Sequence, residues 1–111
     1  MYHTFVYTCG GSGTGEFEWD EAKNASNRQK HGISFEEAIL IFNGPVLTRA
    51  DVHHESGEVR ELSFGLLGGI VVLAVAHTDR NGRKRIISAR KATARERKAF
   101  HDYLEKALGR D

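Results

Sequence analysis

Two turn signals constrain the middle of this chain more than any other feature. Gly68-Gly69 and Asn81-Gly82 each interrupt runs rich in Val, Ile and Leu. Both dipeptides tolerate the positive φ that tight hairpins require. Around them Val59–Leu67, Ile70–Thr78 and Arg83–Ala89 read as strands, with Gly68-Gly69 as a two-residue turn. Val46–Ala50 supplies a fourth strand ahead of the polar stretch Asp51–Glu58. Strands joined this closely pair antiparallel, so the expectation is a four-stranded antiparallel meander.

Helix signals flank the meander. Asp20 is placed to cap a helix running from Glu21 to Lys30, with Gly32 at its C-terminal stop. Ser34-Phe35-Glu36-Glu37 is a capping box, and Phe35, Ala38, Ile39 and Phe42 then share one helical face until Asn43-Gly44-Pro45 ends it. A second capping box, Thr93-Ala94-Arg95-Glu96, opens a helix whose Phe100, Tyr103, Leu104, Ala107 and Leu108 fall together. The order predicts an α+β fold: two N-terminal helices, a four-stranded antiparallel sheet and a C-terminal helix, with the helices on one side of the sheet. With 111 residues there is room for one such domain. It is expected to span residues 17–111. Residues 1–16, with their Gly10–Gly15 run, are expected to form a flexible extension. Gly10 and Gly15 have phosphate-loop spacing, but Glu16 and Phe17 stand where Lys and Ser/Thr would have to meet phosphate and magnesium.

Net charge is only +1, yet it is strongly segregated. Residues 1–79 carry five Lys/Arg against eleven Asp/Glu; residues 80–111 carry eleven against four. Between Arg80 and Lys98 nine basic residues face a single acid, Glu96. A phosphate polymer responds to such a local field even when the whole chain is nearly neutral, although a solvated basic helix face has the same composition. The single cysteine, Cys9, excludes an intramolecular disulfide and a multi-cysteine zinc site. No apolar run is long enough to span a bilayer and the N-terminus lacks a secretory pattern, so a cytoplasmic protein without membrane contact is expected. His53-His54-Glu55 contains the His-x-Glu of zinc deaminases, but the partner Pro-Cys-x-x-Cys is absent and a solvated loop is the simpler reading. No metal or other cofactor is expected.

Strand periodicity suggests where chemistry would gather. Arg60, His77 and the Arg83–Arg90 segment lie on adjoining strands and can converge on one patch. Strict alternation sets Arg83, Arg85, Ile87 and Ala89 on one side of the last strand and Lys84, Ile86, Ser88 and Arg90 on the other. Such a cluster suits RNA cleavage without a metal. The ribose 2′-OH attacks the adjacent phosphate, a base and an acid move protons, and guanidinium groups hold the charge of the phosphorane. His77 has the unperturbed pKa best matched to proton transfer, about 6.5. On the residues alone a strand-end histidine is more often a structural hydrogen-bonder than a catalyst, and the arginines are also compatible with simple binding or salt bridges.

Three stretches taken together resemble the BrnT toxins, within the wider RelE/ParE-like group. The first runs from Phe17-Glu18-Trp19-Asp20-Glu21-Ala22-Lys23-Asn24 through Asn27 to Lys30-His31-Gly32-Ile33-Ser34-Phe35-Glu36. The second is Glu58-Val59-Arg60 with its following Gly65. The third joins Ala76-His77-Thr78-Asp79-Arg80 to Arg85-Ile86-Ile87-Ser88-Ala89-Arg90-Lys91-Ala92-Thr93 and Arg95-Glu96-Arg97. The resemblance implies a ribonuclease toxin of a type II toxin–antitoxin pair acting on mRNA, with a RelE-like fold. It also implies a BrnA-like ribbon-helix-helix antitoxin that binds the toxin in a hetero-oligomer and contacts operator DNA on its behalf. Carried onto this chain, the expected catalytic residues are Arg60, His77 and Arg85, with Arg80, Arg83, Arg90 and Lys91 binding RNA. Because toxins of this fold differ in chemistry, a gyrase poison or a non-enzymatic nucleic-acid or protein-binding module stands as the alternative.

Overall fold

A computed structural model of the chain describes residues 4–8, 16–52 and 59–109. Its strands are β1 (Thr4–Thr8), β2 (Glu16–Asp20), β3 (Leu47–Val52), β4 (Val59–Leu67), β5 (Val71–Arg80) and β6 (Arg83–Lys91). The helices are α1 (Glu21–His31), α2 (Phe35–Ala38) and α3 (Ala94–Ala107), and a 3₁₀ turn, Ile39–Asn43, continues α2.

The signals at element ends act as expected. Asp20 accepts from the Ala22 amide at 2.9 Å, and Gly32 closes α1 with φ 72° and an amide bond to the Arg28 carbonyl. Both capping boxes close: Ser34 with Glu37, and Thr93 with Glu96. Asn81 and Gly82 both take positive φ in a two-residue turn, which puts Arg80 opposite Arg83. The β4–β5 connection is one residue longer than the sequence suggests. Leu67 pairs with Val71, so Ile70 joins the two glycines in the loop and is exposed. The predicted second helix also tightens. Only Phe35–Ala38 is α-helical before the 3₁₀ turn, a common way for a short segment to aim apolar side chains at a sheet.

The sheet differs most from expectation. It is a mixed sheet in the order β1-β2-β6-β5-β4-β3, and β2 runs parallel to β6 while every other pair is antiparallel. The four-stranded meander is therefore its β3–β6 part only. Residues 16–20 join the sheet because Phe17 and Trp19 alternate with Glu16, Glu18 and Asp20, a period-2 pattern lying just ahead of the helix cap. Thr4–Thr8, within the expected extension, pairs along β2. Gly10–Gly15 lies outside the described residues.

Helices cover both faces rather than one. On the first face, α2 and the 3₁₀ turn bury Phe35, Ile39 and Ile41 against Trp19, Leu73, Val75 and Ile86. On the second, α3 brings Phe100, Tyr103 and Leu104 onto Phe64, Val72 and Ala74. Close approach on the first face requires Gly65, since a Cβ there would lie 2.8 Å from Ile41 Cβ.

Helix α1 contributes no apolar core; its buried residues are Asn24 and Asn27. Asn27 donates to the carbonyls of Ile33 (2.9 Å) and Ala89 (2.8 Å) and accepts from the Ala89 amide (3.1 Å). Its amide group thus pairs the edge of β6 just past the end of β2, as a further strand would. Asn24 accepts from the Phe35 amide at 2.8 Å and donates to Glu36 at 2.8 Å, fixing the entry to α2.

Asn27→Ala leaves three buried backbone groups without this partner and is expected to lower unfolding stability by about 2–4 kcal/mol. Gly65→Ala is expected to cost about 1–3 kcal/mol by overpacking against Ile41. Urea unfolding of both variants against the parent measures these losses.

Candidate nucleic-acid interface

The distribution of arginines is set by one irregularity in β6. Ala76 pairs with Ser88 but His77 pairs with Ile86, so Ile87 is the extra residue of a β-bulge. Alternation is broken there. Arg83 and Arg85 consequently share a face with Ser88 and Arg90 rather than with Ala89. This is the face of Leu62, Phe64 and Ala74, on which α3 packs, and β4 adds Arg60 and β3 adds Arg49 to it. Beyond the contacts of α3 its side chains change from apolar to basic.

Carboxylates hold three of these arginines. Arg85 Nη1 donates to Glu18 Oε2 at 2.6 Å, across the parallel β2–β6 pair. Arg83 lies 3.6 Å from Glu16 and 3.8 Å from Glu18. Arg90 engages Glu96 through two parallel hydrogen bonds, 2.7 and 3.0 Å, tying β6 to the first turn of α3. That fork, backed by bonds from Thr93, holds the Glu96 carboxyl down at about 2 and raises the Arg90 guanidinium. Arg90 is thereby a strut between strand and helix. Arg49 sits over the Phe64 ring, 4.9 Å from its centroid. Arg80 closes the β5 end of the hairpin. Lys91 pairs with Leu73 and so stands on the opposite face from the arginines.

His77 is not at the surface. It is 1 % exposed on the first face, edge-on to Phe42 at 5.4 Å. Its Nε2 lies 2.7 Å from Ser63 Oγ, which in turn lies 2.7 Å from Thr48 Oγ1. Its Nδ1 makes no hydrogen bond; Glu61 Oε1 is 3.8 Å away. Burial, with Lys84 nearby, lowers the imidazole to about 4, opposed in part by Asp79. The ring is neutral at pH 7 and turned away from the arginine face. It does not present a nitrogen to an RNA hydroxyl, so the proton-transfer role expected for His77 does not fit its position. Burial is a tertiary property that the alternation of β5 left open.

Among the described residues no group of three His, Cys, Asp or Glu side chains is arranged to hold a metal ion. Cys9 and His53-His54-Glu55 lie outside those residues. No helix among them is long and apolar enough to cross a membrane.

A mixed sheet bearing clustered arginines, with helices packed on both faces, is an architecture suited to engaging a polyanion. Comparison with known proteins identifies the class. Residues 19–96 match the family described as the ribonuclease toxin BrnT of type II toxin–antitoxin systems. The chain belongs to this family of ribonuclease toxins. Among solved structures it is similar to the Brucella abortus ribonuclease toxin BrnT, with a TM-score of 0.52 and 25% sequence identity over 68% of this chain and 92% of that one. No curated protein sequence matches it.

The site contains residues that pattern reading missed. The alternation of Phe17, Glu18 and Trp19 could have marked a strand at Glu18 but not its partner Arg85; Arg49 and the bulge at Ile87 had no local signature.

The lowered His77 pKa predicts acid sensitivity. The unfolded chain binds a proton near pH 6.5, whereas the folded imidazole resists one until about 4. Stability from this group is full above pH 6.5 and falls by about 3 kcal/mol as pH drops to 4. Unfolding midpoints followed from pH 7 to 4 should show the decline, and His77→Gln should flatten it.

Proposed function

We propose that RNA lies across the arginine-bearing face and is cleaved there without a metal ion. The observation that carries this reading is the convergence of Arg60, Arg83 and Arg85 on one sheet face, produced by the bulge, in a member of a ribonuclease toxin family. The 2′-OH gives up its proton to solvent and attacks phosphorus, forming the O2′–P bond. The P–O5′ bond then breaks and O5′ takes a proton from solvent. The products are a 2′,3′-cyclic phosphate and a 5′-OH. Arg60 and Arg85 stabilise the phosphorane, and Arg80 and Arg83 hold the flanking backbone. The carboxylate of Glu18 occupies one edge of the Arg85 guanidinium and orients the rest of its five N–H groups. Arg90 acts by anchoring α3, and His77 by filling the core behind the sheet.

The natural substrate in this reading is mRNA in the cytoplasm. A BrnA-like ribbon-helix-helix antitoxin neutralises the toxin in a hetero-oligomer and carries the operator-binding function.

Induced expression of the parent should arrest growth and release RNA fragments ending in cyclic phosphate. Arg60→Ala and Arg85→Ala should each lower cleavage by about 100-fold, the scale of losing one preorganised donor to a developing oxyanion. EDTA should leave the rate unchanged. Full cleavage by both variants, or abolition by EDTA, would overturn the mechanism.

A further inference from the structure

Carboxylates engage Arg83, Arg85 and Arg90 on the sheet face, but among the described residues none engages the lysines of α1. Lys23 and Lys30, two turns apart on α1, flank a depression of about 200 Å³ between this helix and β6. Ser26 and His31 from α1 and Ser88 from β6 also line it, and none of its lining residues is acidic. Among the described residues, neither lysine forms an ion pair. Ammonium groups beside hydroxyl donors, in a concavity without a carboxylate, match the needs of a phosphate diester.

Two features connect the depression to the proposed cleavage site. Ser88 pairs with Ala76 on the arginine side of the bulge, so the depression borders the face that bears Arg85. Along β6 the two residues are three positions apart, roughly 10 Å at strand rise. Asn27 also bonds α1 to the β6 backbone at Ala89, so the lysines sit on a helix held to the strand that carries Arg85.

We propose that the α1–β6 depression is a second phosphate subsite, in which Lys23 and Lys30 bind the RNA backbone beyond the scissile bond. It rests on the ribonuclease reading above and extends the binding track past the arginines. An acidic segment of a protein partner is the competing occupant. RNA is favoured because the depression continues a surface already rich in guanidinium groups and pairs its cations with hydroxyl donors.

The test uses the full chain and a single-stranded RNA with 2′-O-methyl riboses, which binds without being cleaved. Lys23→Gln/Lys30→Gln should weaken binding and flatten the log Kd against log salt plot by about 1.4, the value for two lost phosphate contacts on a single strand. With a cleavable RNA, kcat/KM should fall several-fold. Lys106→Gln on α3 is the control for charge removal and should match the parent in both assays. The subsite is overturned if the double variant retains the parent's affinity and salt slope, or if Lys106→Gln weakens binding equally. It is also overturned if the double variant loses binding only to the antitoxin. A parent that cleaves while the variant matches it sinks the subsite alone, whereas a parent that neither binds nor cleaves RNA sinks both readings.

Discussion

The side-chain amide of Asn27 is the contact on which the arrangement depends. Strand β2 is only five residues long and leaves the C-terminal half of β6 without a neighbour on that side. Asn27 supplies the missing donor and acceptor at Ala89 and binds the Ile33 carbonyl at the same time. One amide therefore positions α1, the turn into α2 and the strand that carries more arginines than any other. A helix with so little apolar surface is held by polar bonding. Each such bond is worth about 1 kcal/mol net, but leaving the buried groups unpaired is more costly.

Electrostatics then divides the basic residues by task. Arg90 is committed to Glu96 and joins strand to helix. Arg85 is oriented by Glu18, which lies on the parallel neighbour, while Lys84 leans over Phe42 on the other face, 5.5 Å from its ring centroid. Charges segregated along the chain are thus paired in the fold. The acids of residues 16–20 are brought beside the bases of residues 83–85 by the parallel pairing.

Much of this was legible in advance because it is encoded locally. Gly32, Asn81-Gly82 and the two capping boxes each specify a backbone conformation through their own chemistry, and each is found where the pattern placed it. Non-local relations were not legible. Nothing near residue 18 states that it will lie beside residue 85, and the alternation of β5 does not reveal that 3₁₀ residues will bury His77. Arg60 and Arg85 share a face as the strand pattern suggested. His77, expected beside them, lies on the opposite face with Lys91, and neither the joining of Arg90 to Arg85 nor the pairing with Glu18 was foreseen. Strict alternation failed at Ile87, where side-chain direction is decided by pairing with β5.

That bulge makes the polarity of a whole sheet face depend on how one residue is paired. Were Ile87 to follow simple alternation, the strand's N-terminal half would be turned over relative to Ser88 and Arg90. Arg83 and Arg85 would then lie on the face of Ala89, beneath α2, and Lys84 and Ile86 would stand beside Arg90. The composition of the chain would be the same, yet its basic face would be dismantled. Absorbing one extra residue at this point is as much a determinant of that face as the arginines themselves.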